Sequence, residues 1–178
     1  PVEIRAEIAL AMFGDVLEAA GDVGDVRVVT SDPMGRLVAE ELGAQVLGDP
    51  GDGQGPAVVA ALGGVEGPCI VVNADLPRAR PSDIAALASP ARRGVVALVE
   101  ARDGTTNALG LPSADVFRPL YGRGSAARFR AHAEILRLPL EDLSLANLVD
   151  DVDTLADLER VGQRAGSRTR ALFEAIRA

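Results

Sequence analysis

Apolar residues near the start of the chain recur at helical spacing. Ile4, Ile8, Met12 and Val16 follow one another at i+4, and Phe13 and Leu17 widen the stripe. This predicts an amphipathic helix over Pro1–Ala20, broken by Gly21–Gly24. The pattern then changes to short apolar runs with polar punctuation. Val26–Thr30 predicts a strand, and Asp32-Pro33 predicts the N-cap and first position of a helix over 34–42. Gly43 ends that helix, and Ala44–Leu47 predicts a second strand. Strand, helix and strand in this order call for parallel pairing with a helical crossover. Pro56–Leu62 predicts the next helix. Cys69-Ile70-Val71-Val72 then runs into Asn73-Ala74-Asp75-Leu76-Pro77. That apolar run is expected to be a strand buried on both faces and stopped by Pro77, which cannot donate to a ladder.

The second half repeats the rhythm. A helix is expected from Pro81 to about Leu87, strands over Gly94–Val99 and Asn107–Leu111, a helix over Ala126–Ala133 and a strand over Ile135–Leu138. Leu148–Asp153 is expected to form another strand end, with Asp151 and Asp153 pointing the same way. Thr154 or Asp153 would cap the following helix, with Asp157 closing the box, and a basic helix is expected over Arg164–Ala178. No internal repeat or linker interrupts the pattern. One α/β domain over 1–178 is expected: three layers, with a mostly parallel or mixed sheet flanked by helices.

Composition narrows the function classes. The formal net charge of −8 over 178 residues argues against a nucleic-acid or anionic-membrane surface as the main partner. No apolar run is long enough to span a bilayer, and no signal peptide is expected. Cys69 is the only cysteine, which excludes an internal disulfide and a cysteine-based zinc site. A buried free thiol there fits a cytoplasmic protein. The chain contains no lysine, so every basic side chain except His132 is an arginine. His132 falls near a predicted helix end and reads as a surface residue rather than a general base.

The acids carry the chemistry. Asp75 follows one apolar strand, and Asp151 and Asp153 follow another stretch of the same character. In open α/β sheets, ligands bind at the carboxyl edge of the strands. Three carboxylates gathered there repel one another unless a cation neutralises them. Hard oxygen ligands of this kind suit Mg²⁺ or Mn²⁺. Read singly, Asp75 is equally a turn former and Asp153 a helix cap. Gly48–Gly55, dense in Gly and Asp, is either a loop that approaches a nucleotide or an ordinary surface loop. Tyr121-Gly122-Arg123-Gly124-Ser125 feeds a predicted helix N-terminus and offers backbone N–H groups to an anion; the alternative is a plain N-cap at Ser125 with solvated arginines.

Four blocks stand in the order found in one family. They are Asn73-Ala74-Asp75-Leu76-Pro77, Asp103-Gly104-Thr105-Thr106-Asn107-Ala108-Leu109, Phe117–Arg128 with its Gly122-Arg123-Gly124-Ser125 turn, and Asp151-Val152-Asp153-Thr154-Leu155-Ala156-Asp157-Leu158. Across essentially its whole length the chain resembles the phospholactate or phosphoenolpyruvate guanylyltransferases of coenzyme F420 biosynthesis. These are relatives of the molybdenum cofactor guanylyltransferases on a nucleotide-diphosphosugar-transferase-like fold. The resemblance implies a transferase that uses GTP and a phosphorylated three-carbon acid, both small molecules. It implies that Asp75, Asp151 and Asp153 hold Mg²⁺ or Mn²⁺, with Asp75 central to catalysis. It implies that Thr106, Gly122 and Ser125 hold the acid. Another phosphorylated acceptor, a molybdopterin or a sugar phosphate, is the alternative within the fold; a non-catalytic nucleotide-binding homologue is the alternative outside catalysis. Members of the family open with a strand and a basic loop, which are therefore expected before Pro1. Without that strand, two neighbouring sheet edges would be exposed. The apolar helix at 4–17 suits either the core or a homo-oligomer interface.

Overall fold

The computed structural model describes residues 2–177, with side chains from Ile4 to Arg177. Pro1 and Ala178, expected at the outer ends of the first and last helices, lie outside the described residues. Helix α1 (Val2–Gly21) buries Ile8, Met12, Val16 and Leu17, the stripe read from its period. Strand β1 (Arg27–Val29), helix α2 (Pro33–Glu41) and strand β2 (Gln45–Leu47) form the expected parallel unit. Asp32 caps α2 by accepting the Gly35 N–H at 2.8 Å, with Pro33 in the first turn.

Helix α3 (Gln54–Leu62) leads to strand β3 (Cys69–Val72). Helix α4 (Pro81–Arg92) runs past Leu87 and accommodates Pro90 near its end; there the proline removes only the bond to the Ala86 carbonyl. Strands β4 (Val96–Glu100) and β5 (Thr106–Leu111) pair antiparallel, because the five residues between them are too few for a crossover. Helix α5 spans Ser125–Ile135 and strand β6 spans Leu140–Asp142. The strand expected over Ile135–Leu138 therefore lies later: the helix continues to Ile135, Arg137 turns the chain at φ 56°, and pairing starts only after Pro139. Helices α6 (Leu155–Val161) and α7 (Ser167–Arg177) close the chain.

The strands form two sheets, β1–β2 and β3–β5–β4–β6. Pairing is mixed: β1–β2 and β4–β6 are parallel, while β5 runs against both of its neighbours. Alternation along β4 separates the layers. Val96 and Leu98 face α5, packing with Leu109, Phe117 and Phe129. Ala97 and Val99 face the other way, towards Val16, Leu76, Leu87 and Leu148. A third cluster joins α1 to α6 and α7 through Met12, Val152, Leu158, Val161 and Phe173.

Strand β3 is not buried on both faces. All four of its residues are half-buried, and it pairs only with β5. A cleft of about 910 Å³ runs along its other side, lined by Val16 and Leu17 of α1, Val28 of β1, Val58 of α3 and Ile70 of β3. Among the described residues, β1 and β3 each turn an unpaired edge to this cleft. No described helix is long and apolar enough to cross a membrane.

The two ends of the chain are tied by one buried acid. Asp15 on α1 is 4% exposed and accepts the Arg168 and Thr169 N–H groups, both at 3.0 Å, at the start of α7. It caps a helix from more than 150 residues away in sequence. A Cβ at Gly166 would stand 2.3 Å from the Asp15 carboxyl carbon, so glycine is required where the chain passes over this cap. Asp15→Ala is expected to lower stability by about 2 kcal/mol, because two buried N–H groups lose their acceptor. Urea titration reads this directly. An unchanged midpoint would show that water replaces the cap without cost.

Candidate active site: an acid cluster beside a glycine turn

Asp75, Asp151 and Asp153 each direct a carboxylate oxygen into one cluster, and these three oxygens lie within 4.8 Å of one another. They do not arrive from two strand ends. Strand β3 stops at Val72, and Asp75 sits in the turn that follows. Leu148–Asp153 forms no strand at all. The segment is irregular, anchored by the buried side chains of Leu148 and Val152 and by hydrogen bonds from outside it. The Asn107 amide donates to the Leu148 and Val149 carbonyls at 2.9 and 3.3 Å. The Val152 N–H donates to the Asp75 carbonyl at 3.1 Å. That last bond sets the two acidic segments side by side.

The cluster is electrostatically expensive. Burial pushes the Asp75 carboxyl up to about 6; hydrogen bonding to backbone partly offsets this, and the Asp151 and Asp153 charges add to it. Asp151 is raised as well, first by burial and then by its acidic neighbours Asp153, Asp103 and Asp157. Asp75 Oδ1 is buried without a hydrogen-bond partner among the described residues. An orphaned, buried carboxylate oxygen beside two other carboxylates is a donor set for a hard divalent cation, so the residues present fit such an ion.

Asp150, one residue away, behaves in the opposite way. Arg102, Arg78 and Arg160 all pair with it, and the Arg102 hydrogen bond holds its carboxyl below the usual range. Its side chain is 9% exposed. Asn107 stands inside one of the four blocks and Asp150 immediately before another, yet neither is among the residues the sequence marks as functional. A pair of adjacent acids, only one of which can face the cluster, was the available signal.

The residues expected to hold the acid also come together. Thr106 begins β5 and Ser125 begins α5, and their hydroxyls meet at 3.1 Å. Both residues are buried, at 2% and 0% exposure. Gly122 adopts φ 104°, and its carbonyl accepts the Ser125 N–H at 2.9 Å. Gly124, in the left-handed region at φ 71°, is the N-cap of α5, so Ser125 is the first helical residue rather than the cap. The two hydroxyls are engaged with each other, while among the described residues the Gly122 and Gly124 N–H groups have no hydrogen-bond partner. A polar path links the turn to the acids: Asn73, just after β3, donates to the Thr106 carbonyl at 3.3 Å, and Thr106 is followed by Asn107, which holds the acidic segment.

The remaining candidates settle into structural roles. The His132 ring pairs with the Val116 carbonyl at 2.9 Å. Cys69 is half-buried, and burial pushes its thiol up to about 11. In the 48–55 loop, Gly51 and Gly53 take positive φ, and Gln54 donates to the Asn73 side chain at 2.7 Å.

Comparison with known proteins agrees with this architecture. Residues 7–144 match the MobA-like NTP transferase domain. The phosphoenolpyruvate guanylyltransferase of Nocardia farcinica is 38% identical over 98% of this chain and 81% of that protein. The phosphoenolpyruvate guanylyltransferase of Sphaerobacter thermophilus is 34% identical over 90% of this chain and 82% of that protein. A crystallised protein from Desulfovibrio desulfuricans, described as a nucleotide-diphospho-sugar transferase, superposes with a TM-score of 0.75 at 16% identity, covering 97% of this chain and 83% of that one. The chain belongs to the MobA-like NTP transferase family, among the phosphoenolpyruvate guanylyltransferases.

Proposed function

We propose that this protein transfers GMP from GTP to the phosphate of phosphoenolpyruvate, with release of pyrophosphate, as a step of coenzyme F420 biosynthesis. Family membership supports the reaction type. The observation that carries the site assignment is the meeting of Asp75, Asp151 and Asp153 around one unpartnered, buried oxygen. A phosphate oxygen of the acceptor attacks the α-phosphorus of GTP; the new P–O bond forms as the bond to the β-phosphate breaks, and pyrophosphate leaves with the electron pair. No side chain is asked to become covalently attached. Mg²⁺ or Mn²⁺ held by Asp75, Asp151 and Asp153 would neutralise phosphate charge during transfer. Asn107 and the Val152 N–H keep the acids in register. The amides of the Gly122–Gly124 turn, with Thr106 and Ser125 fixing its base, would hold the acid.

Among the described residues, β1 and β3 each turn an unpaired edge to the cleft between them, and we propose that a further strand of the protein pairs there and joins both sheets into one.

An acceptor panel tests the assignment. Phosphoenolpyruvate, 2-phospho-L-lactate, a molybdopterin and a sugar phosphate are each offered with GTP or ATP, and products are identified by mass. Guanylylated phosphoenolpyruvate is expected to form fastest. Faster transfer to a sugar phosphate or molybdopterin would move the protein to another acceptor class.

A further inference from the structure

Arg128 lies on the first turn of α5 and folds back over the glycine turn that precedes the helix. Its Nε and Nη2 donate to the Leu120 carbonyl at 3.1 and 2.9 Å, Nη2 donates to the Tyr121 carbonyl at 3.0 Å, and Nη1 donates to the Arg123 carbonyl at 2.6 Å. One guanidinium thus gathers three carbonyls of four consecutive residues. In a trans peptide the N–H points opposite to the C=O. Holding the Tyr121 and Arg123 carbonyls inwards therefore aims the Gly122 and Gly124 N–H groups away from Arg128. Among the described residues, neither of these amides has a hydrogen-bond partner. The glycines make the winding feasible, at φ 104° and 71°.

We infer that Arg128 is a positioning residue: it presents the Gly122 and Gly124 amides to an anionic group of the acceptor. This rests on the proposed reaction and extends it to a residue that need not touch the substrate. Arg128 is exposed, so the core does not depend on it. Lysine would keep the charge but cannot reach three carbonyls in a fixed fork. Contacts to a non-reacting group of the acceptor act on ground state and transition state alike, so their loss raises KM.

The test uses Arg128→Lys and Arg128→Ala. In both, KM for phosphoenolpyruvate is expected to rise about tenfold or more, with kcat and the KM for GTP within about twofold of wild type. In the ligand-free protein, ¹⁵N order parameters of Gly122 and Gly124 are expected to fall from about 0.85 to below about 0.6. Full rescue by lysine would overturn the inference, because charge alone would then suffice. Unchanged order parameters in both variants would overturn it too. Absence of GMP transfer by the wild type would instead strike the proposed reaction, while the order parameters would still decide whether Arg128 orients the turn.

Discussion

Asp75→Asn is expected to cut GMP transfer by about three orders of magnitude while the protein stays folded. The reason lies in what Asp75 does and does not do in the fold. Its backbone carbonyl, which asparagine keeps, accepts the Val152 N–H and aligns the acidic segments. Its carboxylate is the most buried of the cluster and carries the oxygen without a partner. The substitution therefore removes a charge and a charged cation ligand while keeping the carbonyl bond that aligns the two segments. Removing a group that stabilises charge in the transition state costs about 10²–10³ in rate for a single donor, and loss of a metal ligand is expected at the upper end or beyond. Circular dichroism and steady-state pyrophosphate release measure both halves. Wild-type turnover by a folded Asp75→Asn protein would remove Asp75 from the reaction.

The second large effect is on stability and needs no substrate. Burial and like charge raise the Asp75 carboxyl from its ordinary value of 3.8 to about 6. A carboxyl whose folded pKa lies above its unfolded value favours the folded state when protonated. Its stabilising contribution is therefore fully present below about pH 4 and is lost as pH rises through about 6. For Asp75 the swing reaches about 3 kcal/mol. Asp150, Asp103 and Asp157, all lowered, act in the opposite sense, so the comparison must isolate Asp75. In chelator, Asp75→Asn is expected to be more stable than wild type at pH 7.5, and the gap should close towards pH 4. Saturating Mg²⁺ should then stabilise the wild type and leave the variant unmoved, since a ligand at 100 times its Kd adds about 2.7 kcal/mol. A wild type that is equally stable at pH 7.5 with chelator or with Mg²⁺ would leave the acid cluster without its cation.

How much of this was legible in the sequence depends on the range of the forces involved. The α1 stripe, the Asp32 cap and the Thr154–Asp157 box are local, and the sequence states them in full. The β1–α2–β2 unit follows from the same local signals. The half-buried state of β3 was not legible, because it depends on what pairs with its outer edge rather than on its own four residues. The acid cluster was legible in its membership and not in its construction. An apolar run before Asp151 reads as a strand, yet here Leu148 and Val152 serve as core anchors of an irregular segment. What orders that segment is Asn107, 41 residues away, and no local pattern reports such a bond. The resemblance points to Thr106 and Ser125; that their hydroxyls meet each other is a matter of packing. Arg128 stands in one of the four blocks, but its local sequence is equally that of a solvated arginine, and only the fold brings its three carbonyl partners within reach.

Pyrophosphate release from GTP, Mg²⁺ and phosphoenolpyruvate bears most directly on the central claim. The account predicts one pyrophosphate for each guanylylated acceptor, with no release when GTP, Mg²⁺ or the acceptor is omitted. No release above the acceptor-free rate by the folded protein, with either phosphoenolpyruvate or 2-phospho-L-lactate, would contradict it.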